Sequence, residues 1–568
     1  MKKIIHTCCF RPALLKAVLL AIMVFVGGKG VAQEWLWADG AGSPAQEGVS
    51  HMVTDQYDNV YVGLYLSSDG GGGTIHFNTA TLVCNGANDT FIVKYDANGN
   101  ELWVRQIGGD NPFWPQYYGE YMTGLEFDTV TNGLYATGIF YDHCNFGNGI
   151  ALDGWYQDIY VARYDADGNC QWAKRAGSYE REYSSAIGTD ETGALFMTLA
   201  LTQDGVIDTT GYGYGGYLLK YTSDGVNLWT KKIHNDEYST FPALDFREIK
   251  SVDGLIYLYG DNNYTVFTID TISCINPGYY GEILVCMNSE GSALWLKQFG
   301  GPKFRAICLS FAMDLNKNFY FAGAFQDDFA TFGNDTVFST ATTYDMFIYK
   351  CNAFGETVWV KQANASKMVY GDGISVSGDG MMLCTGSIKG IASFGDFSLQ
   401  TTGNDGKMFV VQYNTSGECL NAELLFSGYG GPVIINDSNQ MVVSGSFRDT
   451  ISIGNTVLIS NGYVDFFTAK RQLPQYGSSI YERQASRYLH IYANPSTGIC
   501  NISIPEELQH EENLTLLVYD NAGKLILQQV INMQEEKISL NLQAEAKGIY
   551  NAILTNGKQK YQGKVVLE

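Results

Sequence analysis

One nine-residue stretch constrains this chain more than any other, because it comes back. Tyr95-Asp96-Ala97-Asn98-Gly99-Asn100-Glu101-Leu102-Trp103 returns as Tyr164-Asp165-Ala166-Asp167-Gly168-Asn169-Cys170-Gln171-Trp172 and as Tyr221-Thr222-Ser223-Asp224-Gly225-Val226-Asn227-Leu228-Trp229. Weaker copies end at Trp295 and Trp359, and a last one, Tyr413-Asn414-Thr415-Ser416-Gly417, has Asn421 in the Trp position. Each copy reads as strand, glycine-centred turn and strand, which is a β-hairpin. The turn glycines Gly99, Gly168, Gly225, Gly291, Gly355 and Gly417 are 69, 57, 66, 64 and 62 residues apart.

Two further strands precede each hairpin. An apolar one, such as Gly48 to Asp55, leads into one rich in aromatic and small residues, such as Asn59-Val60-Tyr61-Val62-Gly63 or Asn318-Phe319-Tyr320-Phe321-Ala322-Gly323. A variable loop follows, often with a Phe-Gly pair (Phe146-Gly147, Phe332-Gly333, Phe394-Gly395). Four short strands at a fixed period mean small stacked sheets. Such a sheet cannot cover both its faces, so neighbours must, and the array must close or be capped. Third strands run through Phe91, Ile159, Leu218, Ile283, Phe347, Phe409 and Phe466, giving seven units. The seventh stops at Leu473-Pro474 without a Trp strand, while a spare one, Glu34-Trp35-Leu36-Trp37-Ala38, stands before the first unit. The expectation is a ring in which the strand around Trp37 pairs antiparallel with Asp465 to Gln472.

Many glycines (64) and few charged residues (17%) suit strands and turns. The formal net charge of -23 repels phosphate backbones, so nucleic acid is not expected as a partner. Lys2, Lys3, Arg11 and Lys16 precede an apolar run from Ala17 to Val26, and Gly30-Val31-Ala32 supplies small residues. This reads as a signal peptide cleaved between Ala32 and Gln33, too short to span a membrane. No later segment is long and apolar enough to do so. Ten cysteines follow, scattered through expected strands, and are read as buried thiols. Cys274 with Cys286 is the first pair to test for a disulfide.

The units resemble the SBBP-type β-propeller repeat of secreted bacterial proteins. The resemblance rests on Asp-x-Phe/Ile-Val-x-Lys/Arg-Tyr-Asp followed by Asp-Gly-Asn-x-x-Trp, and it covers roughly Trp35 to Leu473. It implies a propeller fold, not a reaction. From Pro474 to Arg487 the chain reads as a polar linker. Beyond it come Tyr492-Ala493-Asn494-Pro495, Leu516-Leu517-Val518-Tyr519-Asp520-Asn521-Ala522-Gly523-Lys524 and Gly548-Ile549-Tyr550-Asn551-Ala552. This stretch is similar to the C-terminal sorting domain of type IX secretion cargo, with Ala493 where that family usually has Pro. The resemblance implies an outer-membrane secretion machine as partner through 488–568. The expected fold class is all-β, a seven-bladed β-propeller followed by a small Ig-like β-sandwich. The expected domains are 1–32 signal peptide, 33–473 propeller, 474–487 linker and 488–568 sorting domain.

Candidate sites are few. Asp96, Asn98 and Asn100, with Asp165, Asp167 and Asn169, look like calcium-loop fragments, but no bidentate Glu follows. The leading reading is a plain turn, and calcium is the only cofactor left open. Gly211 to Gly216 matches G-x-G-x-x-G but runs into a strand, not a helix. The repeated Trp residues are expected as blade-to-blade core. Trp114, Tyr117, Tyr118, Trp155 and Tyr156 fall outside the repeat register, and are the ligand-surface candidates, in loops around unit two. Five Asp-Thr pairs (at Asp128, Asp208, Asp270, Asp335 and Asp449) resemble bacterial O-glycosylation sites, with a turn into an edge strand as the plainer reading. The histidines are isolated and no catalytic motif appears. The reading that follows is a non-catalytic binding protein, secreted or held on the outer surface of a Gram-negative bacterium, with a glycan or surface protein as ligand. The alternatives are a glycan-active propeller enzyme, whose paired carboxylates could lie far apart in sequence, and a structural surface component.

Overall fold

The computed structural model describes residues 35–567 apart from 68–72, 85–87, 110–118, 184–185, 235–243, 263–265, 276–280, 301–305, 327–328, 340–343, 379, 404–405, 437, 475–486, 490, 493–495, 506–507, 509–513, 521–523, 532–536 and 557–559. The signal-peptide reading and its cleavage point therefore lie outside the described residues. The chain divides into two compact units, one ending at Pro474 and the other beginning at Gln475. Both are all-β, and among the described residues no helix is long and apolar enough to cross a membrane.

Among the described residues the first unit holds three four-stranded antiparallel sheets, two of six strands and one of eight, besides two-stranded hairpins, and groups of four strands recur within them, numbered below as sheets 1 to 7. Sheet 1 comprises Gln46–Thr54, Val60–Ser67, Asn88–Tyr95 and Glu101–Ile107; sheet 2 comprises Tyr121–Asp128, Gly133–Gly147, Ile150–Tyr164 and Cys170–Gly177. Sheet 3 takes Ile187–Thr189, Leu195–Leu201, Gly215–Tyr221 and Asn227–His234; sheet 4 takes Leu244–Val252, Leu255–Asn262, Gly281–Asn288 and Ala293–Phe299. Sheet 5 takes Ala306–Met313, Phe319–Phe325, Asp345–Cys351 and Thr357–Ala365; sheet 6 takes Met368–Val376, Met382–Lys389, Lys407–Tyr413 and Cys419–Tyr429. Sheet 7 joins Val433–Ile435, Gln440–Phe447 and Asp465–Gln472 to Trp35–Ala41 from the other end of the unit. That last pairing is antiparallel, with Trp37 opposite Lys470 and Ala41 opposite Phe466, as the spare Trp strand requires.

Among the described residues seven hydrophobic cores occur in the unit, each shared by two successive sheets, including one between sheets 7 and 1. Middle strands are therefore apolar on both faces, and Asn88–Tyr95 is buried along its whole length. Between sheets 4 and 5 the core is aromatic, with Tyr259 and Phe321 rings 4.9 Å apart and Tyr257 and Phe319 rings 4.8 Å apart. The Phe-Gly pairs sit at outer hairpin turns, where Phe146, Phe332 and Phe394 are fully buried.

The repeated hairpin works as a clasp between sheets. Trp37 Nε1 donates to the Ala97 carbonyl of the next sheet's turn at 3.2 Å, Trp103 to Ala166 at 3.1 Å, Trp172 to Ser223 at 2.9 Å and Trp359 to Thr415 at 3.2 Å. The turn glycines have φ between +69° and +84°. A Cβ on any of the six would lie 2.4 to 3.2 Å from the preceding sheet's indole. Glycine is thus required twice, by the left-handed backbone and by the ring that covers it. Only Trp103 is as buried as core; the others with a described environment are half-buried. They pack against the cores between neighbouring sheets, as expected of repeat positions, and add a clasp at the sheet edge. Asn421 now has a reason. Sheet 7 takes its fourth strand from Trp35–Ala41 and has no glycine turn, so a Trp on sheet 6 would have nothing to clasp.

The second unit forms a five-stranded sheet, with Gly548–Thr555 at its centre, and a three-stranded sheet built on Ile499–Ser503. One core, including Leu516, Val518, Leu540 and Leu554, lies within it. Burial alternates along Leu514–Tyr519, as a strand with one covered face demands.

Candidate functional site

Each sheet's first strand contributes to a central cavity of about 350 Å³. Polar residues punctuate these strands at the positions that face it, among them His51, Glu126, Glu248, Lys250, Ser310 and Asp372. Lys250 Nζ lies 3.6 Å from Glu126 Oε2 and 4.0 Å from Glu248 Oε2, with side chains 20% to 34% exposed to the cavity. Enclosure raises the Glu248 carboxyl, against the Lys250 charge and with added repulsion from Glu126. The same Glu126 charge is the chief cause that raises the Lys250 ammonium. Burial lowers His51 to about 4, so it is neutral at pH 7. Burial pushes Asp372 up to about 7, although the Ser387 hydroxyl donates to it at 2.8 Å. Nothing in the hairpin repeat marks these residues, because they come from first strands hundreds of residues apart. The sequence signal that could have found them is a polar residue inside an otherwise apolar first strand.

A second site lies on sheet 2. Its third strand loses register with the second between Asp153 and Gln157, and Gly154, Trp155 and Tyr156 fall in that break. Trp155 and Tyr156 are thus within Ile150–Tyr164, at a bulge and not in a loop, which corrects the sequence placement. A bulge re-aims side chains out of the pleat. Trp155 is 41% exposed and stacks on Tyr179, 71% exposed, with ring centroids 4.4 Å apart and 17° between planes. The Arg175 guanidinium lies 4.2 Å from the Trp155 ring, held by an ion pair with buried Asp158. Arg181 covers Tyr156 at 5.5 Å and donates to its hydroxyl at 3.2 Å. Tyr179, Arg175 and Arg181 were missed in the sequence because they belong to the following connection and strand. Trp114, Tyr117 and Tyr118 lie outside the described residues.

The calcium-loop fragments are capped turns. Asp96 Oδ1 accepts from the Asn98 and Asn100 amides at 2.9 Å each, and Oδ2 accepts from Asn100 Nδ2 at 2.7 Å. Slight burial would raise Asp96, but these hydrogen bonds outweigh it and lower its pKa. Asp165 repeats the cap with the Asp167 and Asn169 amides at 3.0 and 2.8 Å. Asn288, Asn352 and Asn414 do the same work without a charge, so the turn selects an acceptor and not a carboxylate. Cys274 and Cys286 are free thiols, the former donating to Gln298 at 2.9 Å.

The profile of the secretion system C-terminal sorting domain matches residues 490–568, the two-sheet unit described above. Residues 490–568 are a secretion sorting domain. This sorting domain marks the chain for export by type IX secretion and gives it that machinery as a partner. No curated protein matches the chain. Among solved structures it is similar to a rhamnogalacturonan lyase of Bacillus licheniformis, at 11% identity over 89% of this chain and 92% of that one, with a TM-score of 0.29. A Bacteroides vulgatus member of the DUF4221 family gives 8% identity over 76% and 95%, with a TM-score of 0.27. A Bacteroides ovatus xyloglucan PUL GH43B gives 7% identity over 78% of this chain and 95% of that one, with a TM-score of 0.26.

Proposed function

We propose that residues 33–473 form a seven-bladed β-propeller, exported by the signals at its two ends, that binds a glycan without turning it over. The cyclic series of seven shared cores and the antiparallel closure of sheet 7 by the first strand support the propeller. The signal peptide of residues 1–32, the linker 474–487 and retention on the outer surface belong to the same reading. The observation that carries binding is the stacked Trp155–Tyr179 pair beside Arg175 and Arg181. It offers a flat exposed ring for the C–H face of a sugar and guanidinium donors for its hydroxyls. A glycan array probed with the mature chain tests it. Tyr179→Ala should abolish the strongest signal with little change in thermal stability, since Tyr179 is exposed. Binding that survives both Tyr179→Ala and Trp155→Ala refutes the shelf as the site.

The cavity favours a second reading, a glycan-active enzyme. Acid-base cleavage of a glycosidic bond uses two carboxylates; Glu126 and Glu248 both line the cavity, and burial raises Glu248. Lys250 between them argues for a neutralised triad instead. Release of reducing sugar from a polysaccharide panel, lost in Glu248→Gln, would establish the enzyme.

A further inference from the structure

The third strands of sheets 2 and 7 carry corresponding acids, Asp158 opposite Phe140 and Asp465 opposite Phe447. A tyrosine stands two residues ahead of each acid, Tyr156 in sheet 2 and Tyr463 in sheet 7. An arginine covers that tyrosine in both, but a different part of the chain supplies it. On sheet 2 it is Arg181, from the connection to sheet 3, 5.5 Å from the Tyr156 ring. On sheet 7 it is Arg448, the residue after Phe447 at the end of the second strand. The Arg448 guanidinium lies 4.1 Å from the Tyr463 ring and 5.6 Å from the ring of Tyr429, the last residue of sheet 6. The same aromatic and cationic pairing thus recurs at the same place in two sheets.

Arg448 differs in having nothing inside the protein to neutralise it. Tyr463 is 62% exposed and Tyr429 45%, with Arg448 half-buried between them. Among the described residues its one hydrogen bond runs from Nη2 to the Tyr429 hydroxyl at 3.4 Å, and it forms no ion pair. Its Nε is covered and has no acceptor. Asp449, next in the chain, is exposed and does not pair with it. Elsewhere in the unit arginines are spent internally. Arg175, Arg247 and Arg471 pair with acids, and Arg105 and Arg163 donate to backbone carbonyls. A chain of net charge -23 therefore keeps this guanidinium away from its own carboxylates, between two exposed rings that hold it in place.

We propose that Arg448, Tyr463 and Tyr429 form a second sugar site, selective for a uronic acid unit of an acidic glycan. The sugar carboxylate would accept from the terminal nitrogens of the guanidinium, the geometry in which arginine binds carboxylates most strongly. The C–H face of the same sugar packs on the exposed Tyr463 ring. A neutral sugar would cover the cation without neutralising it, which costs free energy. A small inorganic anion would leave the rings unused. Because the rings already order the guanidinium, little conformational freedom is lost on binding. The proposal takes from the glycan reading above only that the ligand is a sugar, and it shares no residue with the shelf on sheet 2.

Calorimetric titration of the mature chain with trigalacturonate and trimannuronate tests the site. At least one should bind, its methyl ester should bind about tenfold more weakly or less, and added salt should weaken the acid form. Arg448→Gln and Tyr463→Ala should each lose about tenfold in affinity, and Tyr463→Phe should keep it. Thermal melts check that each variant is folded. Tyr179→Ala, on the other shelf, should leave this binding in place, so either reading can fail without the other. Neither trisaccharide binding, an ester that binds as well as its acid, or uronate binding unchanged in Arg448→Gln overturns the proposal. So does equal binding of triglutamate, the mark of a general anion contact with no sugar selectivity.

Discussion

Truncating one clasp measures what joins neighbouring sheets. Trp172 is half-buried on the edge of sheet 2, with its ring over Gly225 of the next sheet and its Nε1 donating to the Ser223 carbonyl at 2.9 Å. Tyr135 and Tyr221 lie 6.0 and 6.4 Å away on either side of the junction. Removing a fully buried Trp costs ~3–5 kcal/mol, and half burial takes that to ~2 kcal/mol. The lost hydrogen bond adds ~1 kcal/mol, so Trp172→Ala should cost ~3 kcal/mol. The unfolding entropy of a unit of roughly 440 residues is ~0.9 kcal/mol/K, which makes this a fall of ~3 °C in melting temperature. Trp172→Phe keeps a ring over Gly225 and loses the donor, so its fall should be clearly smaller. Scanning calorimetry of both variants reads the difference. If Trp172→Ala melts within a degree of wild type while glycan binding disappears, the Trp is a ligand platform and the clasp reasoning fails. Equal falls for Phe and Ala would show that the ring contributes nothing.

Other outcomes follow from the same structure. Asn421→Trp should change stability by less than ~0.5 kcal/mol, because sheet 7 offers no glycine turn to clasp; a gain of several degrees would show a partner there. Deleting residues 35–41 leaves sheet 7 with three strands and a bare edge, and should lower the melting temperature and promote dimers in gel filtration. Asp372 keeps its proton to about pH 7 when folded and releases it near pH 4 when unfolded. The folded state then binds more protons between those values, so its stability falls as pH rises through them. Asp372→Asn should accordingly be more stable than wild type at pH 8 and equal to it near pH 4, read by thermal melts. Truncation before Tyr488, expressed in a host with type IX secretion, should leave a folded protein in the periplasm; normal surface levels would assign the C-terminal unit another role.

Hairpins, their period and the pairing partner of Trp35–Ala41 were legible in the sequence. They depend on local turn chemistry and on strand count, and both repeat with the chain. The missing Trp at position 421 was visible too, but its reason was not, since only the closed seam shows that no turn lies opposite. The Trp residues were legible as contacts between sheets, but their hydrogen bonds to the next sheet's turn were not, because a period reports where a residue recurs and not what it meets across the junction. The bulge at Trp155 escaped because register breaks belong to the pairing of two strands. Glu126, Glu248, Lys250 and Asp372 face one cavity although first strands far apart in the chain supply them. Tyr429, Arg448 and Tyr463 meet although separate strand ends supply them. Each unit's own residues determined its strands and turns; which side chains meet across sheets was decided by how the sheets pack on one another, because charge and burial there depend on neighbours that the chain order does not name.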